Sequence, residues 1–310
     1  MTGAVFVEDL RKTYGEVVAL DGVSFTVEYG EIFALLGRNG AGKSTALEIL
    51  EGFRPRDSGR VHVLGLDPAD RSASRALRTR IGLVLQDIAV EPYLTVRETI
   101  ARNAGYYPAP RDVEEVIALA GLAGLERRKV KTLSGGQKRR LDLALGVIGN
   151  PGLLFLDEPT TGFDPNARRD AWRLVRDLCR AGTSIVLTTH YMEEAQALAD
   201  RVAVISGGRI VAEGTPSTVG GRDAAMTRIR FVLPGGSAAA DLPPAAVADD
   251  GWVTVQTAEP TRTLHELTGW ALRHDAVLDR LTVDRPSLED AYLRLTAPGG
   301  PRHTTGESVR

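Results

Sequence analysis

The chain has a single cysteine, Cys179, in 310 residues. That excludes an internal disulfide framework and a cysteine-based metal cluster, and it fits a reducing compartment. Nor is there an excess of either charge: 38 Lys and Arg against 40 Asp and Glu leave a formal net charge of −2. The basic footprint of a nucleic-acid binder is missing from the total, and no nucleic-acid partner is expected. Long apolar runs are absent too. The most apolar stretch, residues 141–156, is interrupted by Asp142, Asn150 and Pro151 and falls short of the roughly 20 residues that a membrane-spanning helix needs. Residues 1–8 hold no basic segment followed by an apolar run, so no secretion signal is expected. The chain is therefore expected to be cytoplasmic, or to reach a membrane only through a partner. What is present is ordinary for a globular protein, with 43% hydrophobic and 25% charged residues over a length that suits about two domains.

Two strands are expected over residues 4–12 and 17–27, where Val23, Phe25 and Val27 alternate, followed by a buried strand at 32–36. A glycine-rich loop and a helix through Ala46, Leu47, Ile49 and Leu50 come next. Residues 70–149 read as mostly helical, with periodic apolar positions such as Val113, Val116, Ile117 and Ala120. Strands return at 153–156 and 184–188 around a helix over 166–180. In that helix Cys179 shares a face with Trp172 and Val175 and reads as a packed core thiol. The alternation argues for a parallel sheet with crossover helices, an α/β architecture. A hairpin over 202–205 and 209–212, turning at Gly207-Gly208, ends a first domain of residues 1–215, and a junction rich in Gly, Pro and Ser makes 216–226 a linker. Strands at 228–233, 252–257 and 277–283 and helices at 260–274 and on Leu288, Ala291, Tyr292 and Leu295 make 227–297 a small α+β domain. Its last helix is expected to be capped by Asp284 with Pro286 in the first turn. Residues 298–310 are expected to be a disordered tail.

Chemistry concentrates at a few points. Gly37-Arg38-Asn39-Gly40-Ala41-Gly42-Lys43-Ser44-Thr45 fits the P-loop pattern, with a strand before it and a helix after it. Glycines there let successive backbone N–H groups converge on phosphate oxygens; Lys43 brings a cation to the β- and γ-phosphates and Ser44 a hydroxyl to Mg²⁺. ATP and Mg²⁺ are the expected cofactors. The strand at 153–156 runs into Asp157 and Glu158. Alternating side-chain direction should send the two carboxylates to different places, Asp157 to the Mg²⁺ shell and Glu158 to the attacking water. His190 ends the strand after that, at the same carboxyl edge of the sheet, where ligands of such folds gather.

The most discriminating segment is Leu133-Ser134-Gly135-Gly136-Gln137-Lys138-Arg139-Arg140. Ser134 and Gln137 make a capping box for an apolar helix. Capping does not account for two glycines in the first turn, which weaken a helix, or for three cations at its positive end. Bare amides, a serine hydroxyl and positive charge instead make a second phosphate site, which a second copy of the chain could offer to the γ-phosphate held on the first copy's P-loop.

In order and spacing these segments resemble an ATP-binding-cassette (ABC) transporter ATPase over roughly residues 4–215. Residues 37–45 match its Walker A element, Gln86 its Q-loop, Leu133, Ser134, Gly135, Gly136 and Gln137 its signature, residues 153–158 its Walker B element and His190 its switch histidine. Asp164, in Thr161-Gly162-Phe163-Asp164, matches the D-loop, although leucine is commoner where Phe163 stands. The resemblance implies a P-loop core with a mixed sheet, antiparallel N-terminal strands and a helical subdomain at about 85–150. It further implies a head-to-tail dimer with two ATPs between Walker A of one subunit and Ser134 to Gly136 of the other. Tyr14 would stack on adenine, Gln86 would sense Mg²⁺ or the attacking water beside a membrane permease, and Asp164 would organise the dimer interface. Residues 286–296 are similar to the ending of drug-exporter ATPases of the daunorubicin-resistance type. The expected function is ATP hydrolysis that powers a separately encoded permease, with the chain peripheral on the cytoplasmic side of the membrane. The alternative is a cassette ATPase that acts on ribosomes or nucleic acid; such proteins more often carry fused cassettes, coiled-coil insertions or basic arms, and the sequence has none of them.

Overall fold

A computed structural model describes residues 3–84, 90–222, 226–232, 246–249 and 252–297. The chain divides at Pro216/Ser217 into two compact units.

In the first unit, β1 (Val5–Tyr14), β2 (Val17–Val27) and β4 (Ser58–Val63) form an antiparallel sheet in the order β2-β1-β4. The second sheet joins β3 (Ile32–Leu36), β5 (Ile81–Val84), β6 (Leu153–Asp157), β7 (Ser184–Thr189), β8 (Arg201–Ser206) and β9 (Arg209–Gly214). Its order is β5-β6-β7-β3-β8-β9, parallel except for β9, which returns antiparallel to β8. β3, β6 and the middle of β7 are apolar, and all three strands are buried along almost their whole length because both of their faces are covered. Helix α1 (Lys43–Leu50) packs against β2, β4 and β6, and a continuous core links the two sheets, with Phe25 and Phe33 stacked at 5.1 Å between ring centroids. Burying each such ring stabilises the fold by about 1.5–3 kcal/mol.

The stretch 70–149, expected to be mostly helical, holds α2 (Ser74–Arg78), α3 (Val96–Ala104), α4 (Val113–Leu119) and α5 (Gly135–Val147), but also strand β5. Four residues at a sheet edge are too few to show a period, which is why β5 is hidden in the sequence. Gly82 in β5 and Gly146 in α5 let the two elements meet: a Cβ on Gly82 would lie 2.0 Å from Gly146 O. Helix α6 (Pro165–Arg180) and α7 (Met192–Leu198) complete the unit. Cys179, expected in the core, is only partly buried and donates its thiol to Gly30 O at 3.1 Å.

The second unit is an antiparallel sheet in the order β11-β12-β10-β13, from β10 (Thr227–Val232), β11 (Ala246–Asp249), β12 (Trp252–Thr257) and β13 (Asp279–Asp284). Helix α8 (Pro260–Arg273) covers it through Leu267, over Ile229, Phe231, Val253 and Val255. The sequence gives no sign of β11. Helix α9 (Leu288–Thr296) is not capped by Asp284. Ser287 caps it, in a box with Asp290, and Pro286 stands outside the helix. A hydroxyl and a carboxylate three residues apart satisfy two end amides at once, which outweighs a proline in the first turn. The disorder expected over 298–310 lies outside the described residues, and among the described residues no helix is long and apolar enough to cross a membrane.

Candidate active site

The P-loop leaves β3 and enters α1. Gly42 caps the helix at φ 109°, and a Cβ there would stand 2.5 Å from Ala19 O, so the loop can lie against β2 only with glycine at this position. Asn39, Gly40, Gly42, Lys43, Ser44 and Thr45 line a cleft of about 380 Å³ whose other wall is Val17, Val18 and Ala19 and whose inner end is Glu158. Lys43 is buried, and its ammonium donates to Gly37 O at 2.7 Å and Arg38 O at 3.2 Å. Burial lowers its pKa, while the charges of Glu158 and Asp157 oppose the shift.

Strand register sets the opposite side. β6 pairs with β7 so that Asp157 faces Thr188, whose hydroxyl donates to Asp157 Oδ1. Asp157 Oδ2 lies 3.5 Å from Ser44 Oγ, so a carboxylate and a hydroxyl converge from two elements. Hard oxygen donors of this kind beside bound phosphates suit Mg²⁺, which takes one or two carboxylates and keeps several waters.

Glu158 does go elsewhere than Asp157, but strand alternation is not the reason. β6 ends at Asp157, and Glu158 turns out of the strand at φ 47°, a left-handed conformation. Its amide donates to Thr188 O at 3.1 Å, and its carboxylate lies 3.0 Å from His190 Nδ1 and 3.8 Å from Lys43 Nζ. Lys43, Asp157, Glu158 and His190 thus lie together, as expected from their places at strand ends. Gln86 lies outside the described residues. Tyr14, at the end of β1, is 39% exposed, with the Arg54 guanidinium 5.2 Å and the Lys12 ammonium 5.5 Å from its ring centroid. Asp164 caps α6 by accepting from Asn166 N at 2.9 Å and Ala167 N at 3.0 Å.

Ser134 caps α5 in the box with Gln137 that the sequence anticipates. Leu133 is buried, and among the described residues no atom outside their own helix backbone and chain neighbours lies within 4 Å of a Cβ built on Gly135 or Gly136. The three cations need correction. Only Lys138 is left exposed; Arg139 is buried against the 157–159 turn and Arg140 donates to Asp170 at 2.8 Å.

Three residues near the site escaped notice in the sequence, and a fourth, Arg139, reads there only as one of three cations. Thr188 is found only through strand register. Arg139 carries the i,i+3 signal of its pair with Asp142, at 3.6 Å. Glu194, fully buried on α7, accepts from Thr160 Oγ1 at 2.8 Å and Trp172 Nε1 at 3.3 Å. Glu51, at the end of α1, is 3% exposed, and its Oε1 has no hydrogen-bond partner among the described residues.

Burial, reinforced by the charges of Asp157 and Glu48, pushes the Glu51 carboxyl from 4.5 to about 7. Between those values the folded state binds the extra proton, so stability falls as pH rises from about 4.5 towards 7 and stays reduced above it. Asp142, raised to about 7 by burial against the opposing charge of Arg139, acts in the same direction. Glu51→Gln is expected to make the nucleotide-free protein more stable at pH 8 than the parent chain, by on the order of 1–3 kcal/mol, and to change little at pH 5. Calorimetry at the two pH values tests this. An equal loss of Tm at both would rule out the burial account.

The ABC transporter family profile matches residues 20–161, and that of an ABC transporter domain-containing protein-like C-terminal domain matches 227–287. The chain is similar to a daunorubicin resistance ATP-binding protein of Streptomyces coeruleorubidus, 37% identical over 304 residues that cover 94% of this chain and 96% of the relative. A Nod factor export ATP-binding protein of Rhizobium etli is 46% identical over 218 residues, 69% of this chain and 68% of that one. Among solved structures, a dimeric ATP-binding cassette in a post-hydrolysis state with ADP and Pi matches with a TM-score of 0.62 at 26% identity, covering 68% of this chain and 98% of that chain.

Proposed function

Because the chain belongs to the ABC transporter family and is an ATP-binding-cassette ATPase, we propose that it is the nucleotide-binding subunit of an exporter, powering a separately encoded membrane permease. The observation that carries this reading is the approach of Asp157 to Ser44 and of Glu158, held by His190, to Lys43 of the P-loop, in a chain that resembles a drug-resistance ATPase over nearly its whole length.

The loop amides and Lys43 bind the β- and γ-phosphates. Ser44 and Asp157, with Gln86, would hold Mg²⁺, which when bound neutralises phosphate charge. Glu158 orients and polarises the attacking water as general base. His190 Nδ1–H donates to the Glu158 carboxylate, fixing its rotamer, and the ring would meet charge developing on the γ-phosphate. Tyr14 would stack on the adenine. The site is completed by a second copy, whose α5 brings Ser134, Gly135 and Gly136 to the γ-phosphate, while Asp164 shapes the seam between the copies. ATP binding closes the dimer, hydrolysis reopens it, and the Gln86 region conveys the change to the permease. The chain would then lie peripherally on the cytoplasmic face of the membrane. Its C-terminal unit is an accessory domain, and the daunorubicin-resistance name of a relative that matches nearly the whole chain points to a drug or antibiotic as cargo.

If a neighbouring reading frame encodes a multi-span membrane protein, the chain expressed with it is expected to sediment with membranes and to change its ATPase rate when a drug such as daunorubicin is added. Expressed alone, it should remain in the supernatant. Recovery in the supernatant in both cases would sink the permease reading.

A further inference from the structure

Glu158 holds a backbone conformation that L-residues seldom adopt, at φ 47° directly after β6. A strained non-glycine residue of this kind persists where its neighbours over-determine it. Here one guanidinium grips the strained turn. Arg139 is buried and donates from Nε to Pro159 O at 3.0 Å and from Nη2 to Asp157 O and Glu158 O, each at 3.2 Å. Three consecutive carbonyls are thereby fixed by a single planar group, and their orientation sets where the Glu158 side chain leaves the main chain.

The same guanidinium is anchored on α5, one turn from Ser134. Nη1 lies 3.6 Å from Asp142 on the next turn, so the side chain is braced to its own helix. α5 is also seated on β5 through the Gly82–Gly146 approach, which leaves little room for it to deform locally. A helix of this rigidity moves as one body. A displacement at its exposed serine-glycine end must reach the guanidinium, and through it the three carbonyls.

We infer that Arg139 is a positioning residue that couples the Ser134 end of α5 to Glu158, so that the state of the contact made in one nucleotide site is felt by the carboxylate of the other. This rests on the reading that Glu158 activates water and that Ser134 to Gly136 meet the second copy's nucleotide. The contacts of Arg139 that matter here are with main-chain carbonyls and Asp142, and it need not touch nucleotide to act. A lysine at this position would keep the charge opposite Asp142, but a single ammonium cannot reproduce a planar fork spread over three carbonyls.

The test is Arg139→Lys in the full chain, with MgATP as the probe. The expected result is a fall in kcat of about 10- to 100-fold, the scale of a misplaced catalytic group, with KM and the affinity for a fluorescent ATP analogue within about threefold. A variant that merely loosened the fold would lower Tm and leave the kcat of the folded fraction intact, so kcat is normalised to folded protein. In a double-mutant cycle, Ser134→Ala combined with Arg139→Lys is expected to cost no more than the larger single change, because the two lie on one path. If the lysine variant does not fold, Arg139→Gln paired with Asp142→Asn removes the buried pair without a net charge change and is read by the same criteria. Unchanged kcat, or a loss that vanishes on correction for folded fraction, overturns the proposal; so does a cycle in which the two losses simply multiply. A silent Arg139→Lys beside a damaging Glu158→Gln sinks the coupling alone, whereas a silent Glu158→Gln sinks the reading beneath it.

Discussion

Glu158→Gln is expected to cut kcat by about 10²- to 10⁴-fold, the usual worth of a general base, while leaving ATP affinity close to that of the parent chain. The geometry separates the two effects. The phosphate-binding groups are the loop amides and Lys43, and Glu158 meets them only at the inner end of the cleft, 3.8 Å from the ammonium. Glutamine keeps the size and an acceptor oxygen for His190 Nδ1, now at 3.0 Å, but cannot take a proton from water. Nucleotide should therefore bind and then persist unhydrolysed, and the variant should accumulate as an ATP-bound dimer by size-exclusion chromatography. Single-turnover kinetics give the loss directly. Turnover near that of the parent chain would remove Glu158 from the role of base and leave His190 as the next residue to test.

The sequence reveals a site best where the chemistry is carried by consecutive residues. The P-loop, the Asp157-Glu158 pair and the Ser134 capping box are all short-range patterns, and the structure brings the first two together and builds the third as a helix cap. The sequence is less informative where a residue's role depends on which way a side chain turns. Three successive cations, Lys138, Arg139 and Arg140, look like a positive end to α5, yet two of them fold back onto the 157–159 turn and Asp170. Carbonyl acceptors have no signature in the sequence, so this inward turn is invisible there. The different destinations of Asp157 and Glu158 are foreseeable, but their cause is a left-handed kink that only the backbone shows. Strands β4, β5 and β11 are short or lie at sheet edges, where neither period nor length sets them apart. Thr188 and Glu194 reach the site through register and through the packing of α6 on α7, contacts between residues far apart in the chain.

Mixing two chains that are each inactive is expected to restore ATPase activity, and this outcome bears most directly on whether the site is shared between copies. The Lys43→Ala chain loses the buried ammonium of its own P-loop but keeps α5 intact. The Ser134→Arg chain keeps its P-loop but places a long side chain at the head of α5, where no neighbour among the described residues crowds the Gly135 and Gly136 positions. Alone, each chain forms a two-fold dimer in which both shared sites carry one defect, and each should lose at least about 10²-fold in kcat, as when a single transition-state donor is removed. In an equal mixture about half of the dimers are hybrids. By symmetry both defects of a hybrid fall in one of its sites and leave the other whole, so activity should rise to about a quarter of the parental rate. A site complete within one chain predicts otherwise: the mixture would show only the average of two inactive proteins. The Ser134→Arg chain should also bind MgATP as a monomer with near-parental affinity, since none of the described residues that line the cleft belongs to α5. Loss of that binding would place Ser134 in the chain's own nucleotide site and end the case for a shared one.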